Sequence, residues 1–334
     1  MKEYDVGTCS RYTGNMAQLA DARLMSLAEG NGRGDRVILF RNGSGLAFTV
    51  AADRGMDLVD CSFRGIPLVF RTPVGWSDGA RHETAGNGWL RNWQGGLMTT
   101  SGLRNVGVPN GEFGLHGRIS NQAAEDVGVR RGWNEDGQYR IEAAGTIRES
   151  AMFGENLELH RTVSTGLGDN SITLRDRVAN RAAKEDYLQI LYHCNLGYPF
   201  ASPELVFETG EHEVTPRNVE SAAGIGRWNR LETPSPDYRE QCFRHKFRPG
   251  TDGRAGLAVS NPVLGIRLRL SWSVGTLPEF MQWKNCLSGA YALGLEPSNA
   301  TVAGRSSDIK TGKARRIAPG ESIDFELKFQ FETI

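Results

Sequence analysis

The sequence contains little that would favour a membrane or a nucleic acid as a partner. Its longest apolar runs, such as RVILF and YLQILY, are far shorter than the roughly 20 residues that a transmembrane helix needs. Lysine plus arginine and aspartate plus glutamate number 39 each, so no net charge attracts a polyanion. The N-terminal segment MKEYDVGTCSRYTGNMAQLADARLM lacks the apolar stretch of a secretory signal. We therefore predict a cytoplasmic protein with neither partner; its oligomeric state stays open.

Cysteine is also scarce, and its spacing argues against a disulfide framework. The five cysteines occur singly, without a CxxC pair: Cys9, Cys61, Cys194, Cys242 and Cys286. A dispersed, odd-numbered set is typical of reduced thiols in a cytosolic protein. Cys194 adjoins His193, but neighbours on a strand point to opposite faces, so we predict a small buried apolar residue rather than a nucleophile.

Long helical periodicity is rare, whereas short strand-like runs recur along the chain. The stretch from Arg36 to Arg71 alternates runs of Val, Ile, Leu and Phe with turns such as NGSG and FRG, which is typical of strands joined by hairpins. The later segment GLGDNSI predicts another hairpin. Because no linker or repeat divides the chain, we predict an all-β fold, a large antiparallel sandwich formed by one domain of residues 1–334.

Two segments depart from the strand pattern. MAQLADARLMSLAEG, residues 16–30, has apolar residues at helical spacing and predicts an amphipathic helix. Residues 72–110 are mostly loop-like, with TPVGWSDGARHETAGNGW followed by GGLMTTSGL. A loop of this length within a compact domain is more often functional than idle.

Two polar side chains at the ends of apolar strands could exchange protons with a ligand. His193 ends the run ILYH and precedes the turn NLGYP, while Glu296 follows ALGL and precedes Pro297. Burying a carboxylate without a partner is costly and raises its pKa, which suits a general base. The ordinary alternatives are a core imidazole bonded to the backbone and a glutamate that faces water.

Further polar residues are candidates for ligand contacts. His116 lies in GLHGRIS, where the glycines would let the backbone approach a ligand closely. Arg118 would share its face if that segment is extended. Three isolated cations near aromatic residues or glycine are also candidates: Arg54, Arg91 and Lys284. Each of these has a structural or solvated role as its ordinary alternative.

Six segments in a fixed order carry a resemblance to a known family. They are DRGMDL, GGLMTTSGL, GLHGRISN, LYHCNLGYP, LPEFMQWKN and LGLEPSN. The series resembles the aldose 1-epimerase (galactose mutarotase)-related proteins of bacteria, specifically the DUF4432 branch, from about Asp53 to Pro319. The resemblance implies a galactose-mutarotase-like antiparallel β-supersandwich, in agreement with the strand pattern.

The resemblance also implies roles for particular residues. His193 matches the histidine that donates a proton to the sugar ring oxygen, and Glu296 matches the glutamate that accepts the proton of the anomeric hydroxyl. His116 matches a histidine that hydrogen-bonds the substrate. Arg118 stands where characterised members usually have glycine, which implies an anionic or otherwise modified sugar. His245 in FRHKF is a further candidate for substrate contact.

The implied activity is that of an aldose 1-epimerase-like isomerase, which acts on a small sugar without a cofactor or metal. Three tryptophans are candidate platforms for the sugar face: Trp89, Trp93 and Trp283.

Three alternatives stay open. The same acid–base pair would serve an isomerase that acts at another carbon of a keto-sugar. A metal could be bound by imidazole and carboxylate groups, namely His116, His193, His245 and Glu296, although no compact motif such as HExxH is present. A non-catalytic carbohydrate-binding domain could share the fold. Retention of both proton-transfer groups favours the enzyme, because a binding protein needs no such pair.

Overall fold

Two antiparallel sheets form most of the regular structure in the computed structural model, which describes residues 4–334. The larger sheet has twelve strands: β1 Asp21–Ser26, β2 Arg36–Arg41, β3 Leu46–Ala51, β4 Asp57–Phe63, β5 Ile66–Pro67, β6 Met98–Leu103, β11 Asp186–Gly197, β13 His212–Pro216, β14 Gln241–Phe247, β17 Glu279–Leu287, β18 Ala290–Ser298 and β19 Arg315–Ile317. The smaller sheet has eight: β7 Ala124–Trp133, β8 Tyr139–Ser150, β9 Asn156–Gly166, β10 Ser171–Asn180, β12 Val206–Thr209, β15 Arg254–Asn261, β16 Ile266–Ser273 and β20 Ser322–Thr333. This architecture confirms the predicted all-β class.

The strand order places β11 at the centre of the larger sheet. That order is β1-β2-β3-β4-β6-β11-β18-β17-β14-β13, with β5 paired to β4 and β19 to β11. The smaller sheet runs β12-β15-β16-β20-β10-β9-β8-β7. The predicted hairpin at GLGDNSI is confirmed, because it joins β9 to β10.

The helices are short. They are α1 Val6–Tyr12, α2 Val219–Gly224 and α3 Arg305–Lys310, with 3-10 turns at Met16–Gln18, Gly30–Gly32, Gly79–Arg81, Gly88–Arg91, Ile119–Asn121 and Ile225–Arg227. Within residues 4–334, none of these helices has the length and apolar character needed to cross a bilayer.

Burial along the strands shows which faces are covered. In β20, buried and more exposed residues alternate, as expected of a strand with one face on the core and one in water. In β11, every residue from Leu188 to Gly197 is buried. One face of β11 therefore packs in the core with Tyr192 and Cys194, and the opposite face, with His193, is covered by loops. The prediction that Cys194 is a buried apolar residue is confirmed.

A buried ionic cluster links the two sheets beneath β11. Arg161 on β9 donates to both carboxylate oxygens of Asp176 at 2.8 and 2.6 Å, and to Asp57 on β4 at 2.9 Å. The hydroxyl of Tyr192 donates to Asp176 at 2.8 Å, and that of Thr100 donates to Asp57 at 2.6 Å. Charges buried this deeply are tolerated when each is paired and hydrogen-bonded.

The predicted helix over residues 16–30 is wrong. A 3-10 turn occupies Met16–Gln18, and β1 follows at Asp21–Ser26. β1 pairs with β2 along its whole length, so pairing with a sheet edge overrides the helical spacing of the apolar residues. Leu24 and Met25, which a helix would have buried on one face, are both 47% exposed.

The loop-like stretch of residues 72–110 is interrupted by one strand. Residues 98–103 form β6, which pairs with β11. The part before β6 is a long loop that contains two 3-10 turns. This loop, residues 72–97, contains three tryptophans, of which Trp93 packs against His193 of the central strand β11 and Trp89 stacks on Trp93.

Candidate active site

His193 and Glu296 face each other across two paired central strands. The register of β11 and β18 matches Leu191 with Ser298 and Cys194 with Leu295, which places His193 directly opposite Glu296. The Nε2 atom of His193 lies 3.2 Å from Oε1 of Glu296. Both side chains are almost fully buried, and Oε1 has no partner with hydrogen-bond geometry. The two predicted proton-transfer groups thus meet at one point.

Gly294 provides the space in which this pair meets. It lies on β18 two residues before Glu296, on the same face of the strand. A Cβ atom at Gly294 would lie 2.6 Å from Oε1 of Glu296 and 2.9 Å from Cβ of Trp283. It would also lie 3.3 Å from Cε1 of His193. Any side chain at this position would therefore displace the pair.

Asn195 fixes which nitrogen of His193 faces the carboxylate. The amide nitrogen of Asn195 donates to the carbonyls of His193 at 2.7 Å and Gly96 at 3.2 Å. The amide oxygen therefore faces Nδ1 of His193, which must donate its proton to that oxygen. Nε2 is left free to exchange a proton with Glu296 or with a ligand.

We expect Asn195→Ala to remove the preference of His193 for the tautomer that carries its proton on Nδ1. Without the amide oxygen, Nδ1 loses its acceptor, so the proton of neutral His193 should distribute between Nδ1 and Nε2, and the pKa of His193 should fall further. Nitrogen-15 NMR of labelled histidine measures both effects. Cys194→Ala is the matched control, because Cys194 points to the opposite face. An unchanged Nδ1–H tautomer in Asn195→Ala would show that Asn195 does not position the ring.

Burial disfavours charge on both members of the pair. It lowers the pKa of His193 to about 4, although the hydrogen bond to Asn195 acts in the opposite direction. It raises the pKa of Glu296 to about 8, against the opposing field of Arg217. Between these values the pair holds one exchangeable proton, which the two pKa shifts place on Glu296, leaving Nε2 of His193 as the acceptor. The site can therefore both donate and accept a proton near neutral pH.

Aromatic rings enclose His193 on several sides. The ring centroids of Trp93 and Trp283 lie 5.3 and 5.6 Å from that of His193. Trp89 stacks on Trp93 at 4.8 Å. The indole nitrogens of Trp89 and Trp93 donate to Ser120 and to Thr99, at 3.3 and 3.1 Å, so the orientations of these rings are fixed. All three tryptophans line a cleft of about 310 Å³, whose floor is His193 and Glu296.

His116 forms a further wall of the cleft. Its ring centroid lies 4.8 Å from that of Trp89 and 5.6 Å from that of His193. Its Nδ1 atom is buried without a hydrogen-bond partner. Its backbone has a positive φ of 59°, a conformation that is uncommon outside glycine and that occurs often at functional sites. Burial, together with the nearby His193 and Arg217, lowers the pKa of His116.

The glycine after His116 has a different role from the predicted one. Gly117 has a φ of 73°, and a Cβ atom there would lie 2.5 Å from the carbonyl oxygen of Gly102 and 2.6 Å from that of Asn105. Its lack of a side chain thus lets two segments of this chain pack closely, rather than letting the backbone approach a ligand.

Arg217 and Glu240 stand at the exposed rim of the cleft, and neither was a candidate from the sequence. Arg217 follows the short strand β13, and its backbone N–H donates to the carbonyl of Cys242 at 3.0 Å. Glu240 immediately precedes β14 and accepts from the indole nitrogen of Trp283 at 2.7 Å. The β13–β14 pairing brings the two together. Neither residue has a local signal in the sequence, because residues 217–240, with helix α2, separate the two strands.

Arg54, Arg91 and Arg118 do not line the cleft. Arg54 is buried, and its guanidinium donates to the carbonyls of Ser120 at 3.0 Å and of Asn92 at 2.9 Å, so it anchors the loop of residues 72–97. Arg91 and Arg118 are exposed. The prediction that these arginines bind substrate has no support in this geometry.

His245 and Lys284 also lie outside the cleft. Nε2 of His245 lies 2.9 Å from the side-chain oxygen of Gln282. Lys284 is fully buried and pairs with Glu232 at 2.9 Å. These polar partners explain why a cation and an imidazole occur in apolar strands, and the predicted substrate contacts have no support here.

The four candidate metal ligands are not gathered at one point. His245 stacks on His212 at 5.1 Å in a cluster of its own, whereas His116, His193 and Glu296 line the cleft. In residues 4–334, no group of three or more histidine, cysteine, aspartate or glutamate side chains has the geometry to hold a metal ion.

Three solved structures illustrate the similarity in fold. A candidate aldose 1-epimerase from Klebsiella pneumoniae subsp. pneumoniae MGH 78578 is 24% identical with a TM-score of 0.87, covering 95% of this chain and 86% of that one. A galactose mutarotase-like protein from Clostridium acetobutylicum is 11% identical with a TM-score of 0.67, covering 95% and 100%. The galactose 1-epimerase from Lactobacillus acidophilus NCFM is 11% identical with a TM-score of 0.60, covering 94% and 99%. These similarities show a galactose-mutarotase-like fold.

The sequence comparison gives the family. No curated protein matches this chain. The family described as domain of unknown function DUF4432 matches residues 32–331, a range that contains both sheets almost entirely and every cleft residue described above. The chain therefore belongs to the DUF4432 family, with the galactose-mutarotase-like fold.

Proposed function

We propose that this protein is an aldose 1-epimerase-like isomerase, which interconverts the anomers of a free sugar. The observation that carries the proposal is the 3.2 Å approach of His193 Nε2 to Glu296 Oε1 at the floor of a cleft walled by tryptophans. Ring opening requires one group that accepts the proton of the anomeric hydroxyl and one that donates a proton to the ring oxygen, and a buried pair with one proton can supply both. The volume of the cleft, about 310 Å³, lies at the small end of the range for small-molecule sites.

Each proton transfer has an assigned atom in this proposal. Once the proton of Glu296 has moved to Nε2 of His193, the Glu296 carboxylate accepts the proton of the anomeric hydroxyl, and His193 donates to the ring oxygen. The bond between C1 and the ring oxygen breaks, and C1 becomes an aldehyde. Rotation about C1–C2 and reclosure, with the two residues exchanging roles, gives the other anomer. No proton or electron is gained or lost overall.

The cleft also supplies the binding that this reaction needs. The faces of Trp89, Trp93 and Trp283 provide an apolar surface for a pyranose. The imidazole of His116 lines the cleft and makes no side-chain hydrogen bond within residues 4–334, so the proposal assigns it to a sugar hydroxyl. Binding of a polar sugar against His193 and Glu296 replaces part of the solvation lost on burial, and this favours the imidazolium–carboxylate form over the neutral one.

The test is two-dimensional exchange NMR of anomers across neutral, acidic and phosphorylated aldoses. Acceleration above the spontaneous rate for at least one sugar supports the proposal, and the rates rank the substrates. Absence of acceleration with every sugar would contradict it. A panel of keto-sugars in the same experiment detects exchange at another carbon, which would favour the alternative isomerase.

We expect the pH profile of kcat/KM for anomer exchange to be bell-shaped. Below about pH 4, the pKa of buried His193, both groups are protonated and no base is left. Above about pH 8, the pKa of buried Glu296, both are deprotonated and no acid is left. The free enzyme should therefore be active between these limits. After subtraction of the spontaneous rate, a profile that rises continuously with pH would contradict a shared proton.

A further inference from the structure

Arg217 is a cation at the cleft rim without a carboxylate partner. Among the described residues 4–334, no carboxylate oxygen lies within 4.0 Å of its guanidinium nitrogens. Its side chain makes only a weak contact, from Nη1 to the sulfur of Cys242 at 4.0 Å. Most of the five guanidinium donors are therefore available to a ligand. The backbone bond to Cys242 holds the base of this side chain in place.

The charges around the cleft make Arg217 its dominant positive group. The other basic residues that line it are His116 and His193, and burial lowers the pKa of both, so both imidazoles are neutral near neutral pH. The field of Arg217 reaches into the cleft, because it lowers the pKa of Glu296 and of His116. A guanidinium in this position suits a planar oxyanion, which it can bind through two parallel hydrogen bonds.

Glu240 restricts where such an anion can bind. Its carboxylate shares the rim with Arg217, and one oxygen is already bound to the indole of Trp283. Like charges repel, so an anionic group on the ligand must lie toward Arg217. The carboxylate of Glu240 remains available as an acceptor for sugar hydroxyls. The two rim residues together thus distinguish the acidic end of a ligand from its hydroxylated part.

We propose that Arg217 selects a sugar that carries an oxyanion, as a carboxylate or a phosphate ester, at the end remote from the anomeric carbon. This orientation rests on the proposed function, since the anomeric carbon must face His193 and Glu296. That pair is buried at the floor, whereas Arg217 is exposed at the rim. A sugar that reaches both therefore presents opposite ends to them.

Equilibrium binding to the full chain tests this proposal without any turnover. Calorimetric titrations with glucose, glucuronate and glucose 6-phosphate are compared for the wild type, Arg217→Gln, Glu240→Gln and Arg239→Gln. Arg239 is the matched control, because it is an exposed arginine next to Glu240 that does not line the cleft. We expect the wild type to bind one of the two anionic sugars about 10- to 100-fold more tightly than glucose, the range of a charge-assisted bond.

The variants separate a specific contact from the general charge of the surface. Arg217→Gln should abolish the preference for the anionic sugar, Glu240→Gln should increase it, and Arg239→Gln should leave it unchanged. Whichever of glucuronate and glucose 6-phosphate gives the larger preference identifies a carboxylate or a phosphate. Equal affinities for glucose and both anions, or a preference that Arg217→Gln retains, would overturn the proposal.

This outcome is distinguishable from failure of the proposed function. An Arg217-dependent preference without anomer exchange would support anion recognition and contradict the isomerase. Exchange of neutral sugars without any preference for anions would support the isomerase and contradict the role of Arg217.

Discussion

Replacement of Glu296 by glutamine is expected to slow catalysed anomer exchange by about 10³-fold, within the range that a positioned acid–base group contributes. Glutamine has nearly the same shape but cannot accept a proton. The anomeric hydroxyl then loses its base, and His193 loses the group with which it shares a proton. Sugar affinity should change by no more than about threefold, since the amide still offers a hydrogen-bond acceptor. Exchange NMR gives the rate, and calorimetry gives the affinity.

Two controls show whether a loss of activity has this cause. Glu279→Gln changes a glutamate on the adjacent strand β17. Glu279 pairs with Arg244 outside the cleft, so this variant should leave exchange unaffected.

The pH dependence of stability provides the second control. Burial raises the pKa of Glu296 from 4.5 to about 8, so wild-type stability should decline as pH rises from about 4.5 to about 8. Glu296→Gln should lack that decline.

Wild-type exchange rates in Glu296→Gln would exclude Glu296 as the base. A protein that binds sugars equally well in both forms, and accelerates exchange in neither, would instead be a carbohydrate-binding protein. Loss of both binding and exchange, with folding intact, would place Glu296 in recognition rather than in proton transfer. Each of these results contradicts the proposed role.

Replacement of Arg161 by methionine is expected to lower the free energy of unfolding by about 3–5 kcal/mol, the usual cost of removing one partner from a buried ion pair. The carboxylates of Asp57 and Asp176 would remain buried without their cation. Chemical denaturation measures the change. Arg175→Met on β10 is the matched control. Its ion pair with Glu326 is solvent-exposed, so we expect a loss of no more than about 1 kcal/mol.

The Arg161 defect should depend on pH. Burial already raises the pKa of Asp57, and Arg161 opposes that shift. Without Arg161, the folded-state pKa of Asp57 would rise further above its unfolded value. Protonation then favours the folded state, so the stability deficit should be smaller at mildly acidic pH than at neutral pH. A deficit that stays constant with pH would show that lost packing, rather than unpaired charge, causes the defect.

The sequence predicted the floor of the site better than its rim. His193 and Glu296 occupy central strands, where a polar side chain among apolar neighbours is conspicuous and the pairing is fixed by burial. Arg217 lies on an exposed segment after a five-residue strand at the sheet edge. Its place over the cleft depends on which strands pair, and the local sequence does not encode this.

The buried cations show a second limit of sequence reasoning. Arg54 and Lys284 are isolated cations near glycine or an aromatic residue, and the sequence therefore predicted a ligand contact for each. Their partners, Ser120 for Arg54 and Glu232 for Lys284, are distant in sequence. The sequence around a cation that pairs with a distant residue looks the same as the sequence around a cation that binds a ligand. Only the three-dimensional pairing distinguishes the two.

The cross-strand position of His193 and Glu296 makes the proposed catalytic geometry depend on strand alignment. Successive residues on a strand face opposite sides, so a slip of one residue between β11 and β18 would turn one of the two groups toward the core. A slip of two residues would keep both on the same side but remove them from direct opposition. Anomer exchange would therefore report on correct assembly of the central sheet more sharply than circular dichroism, which counts strands without sensing their alignment.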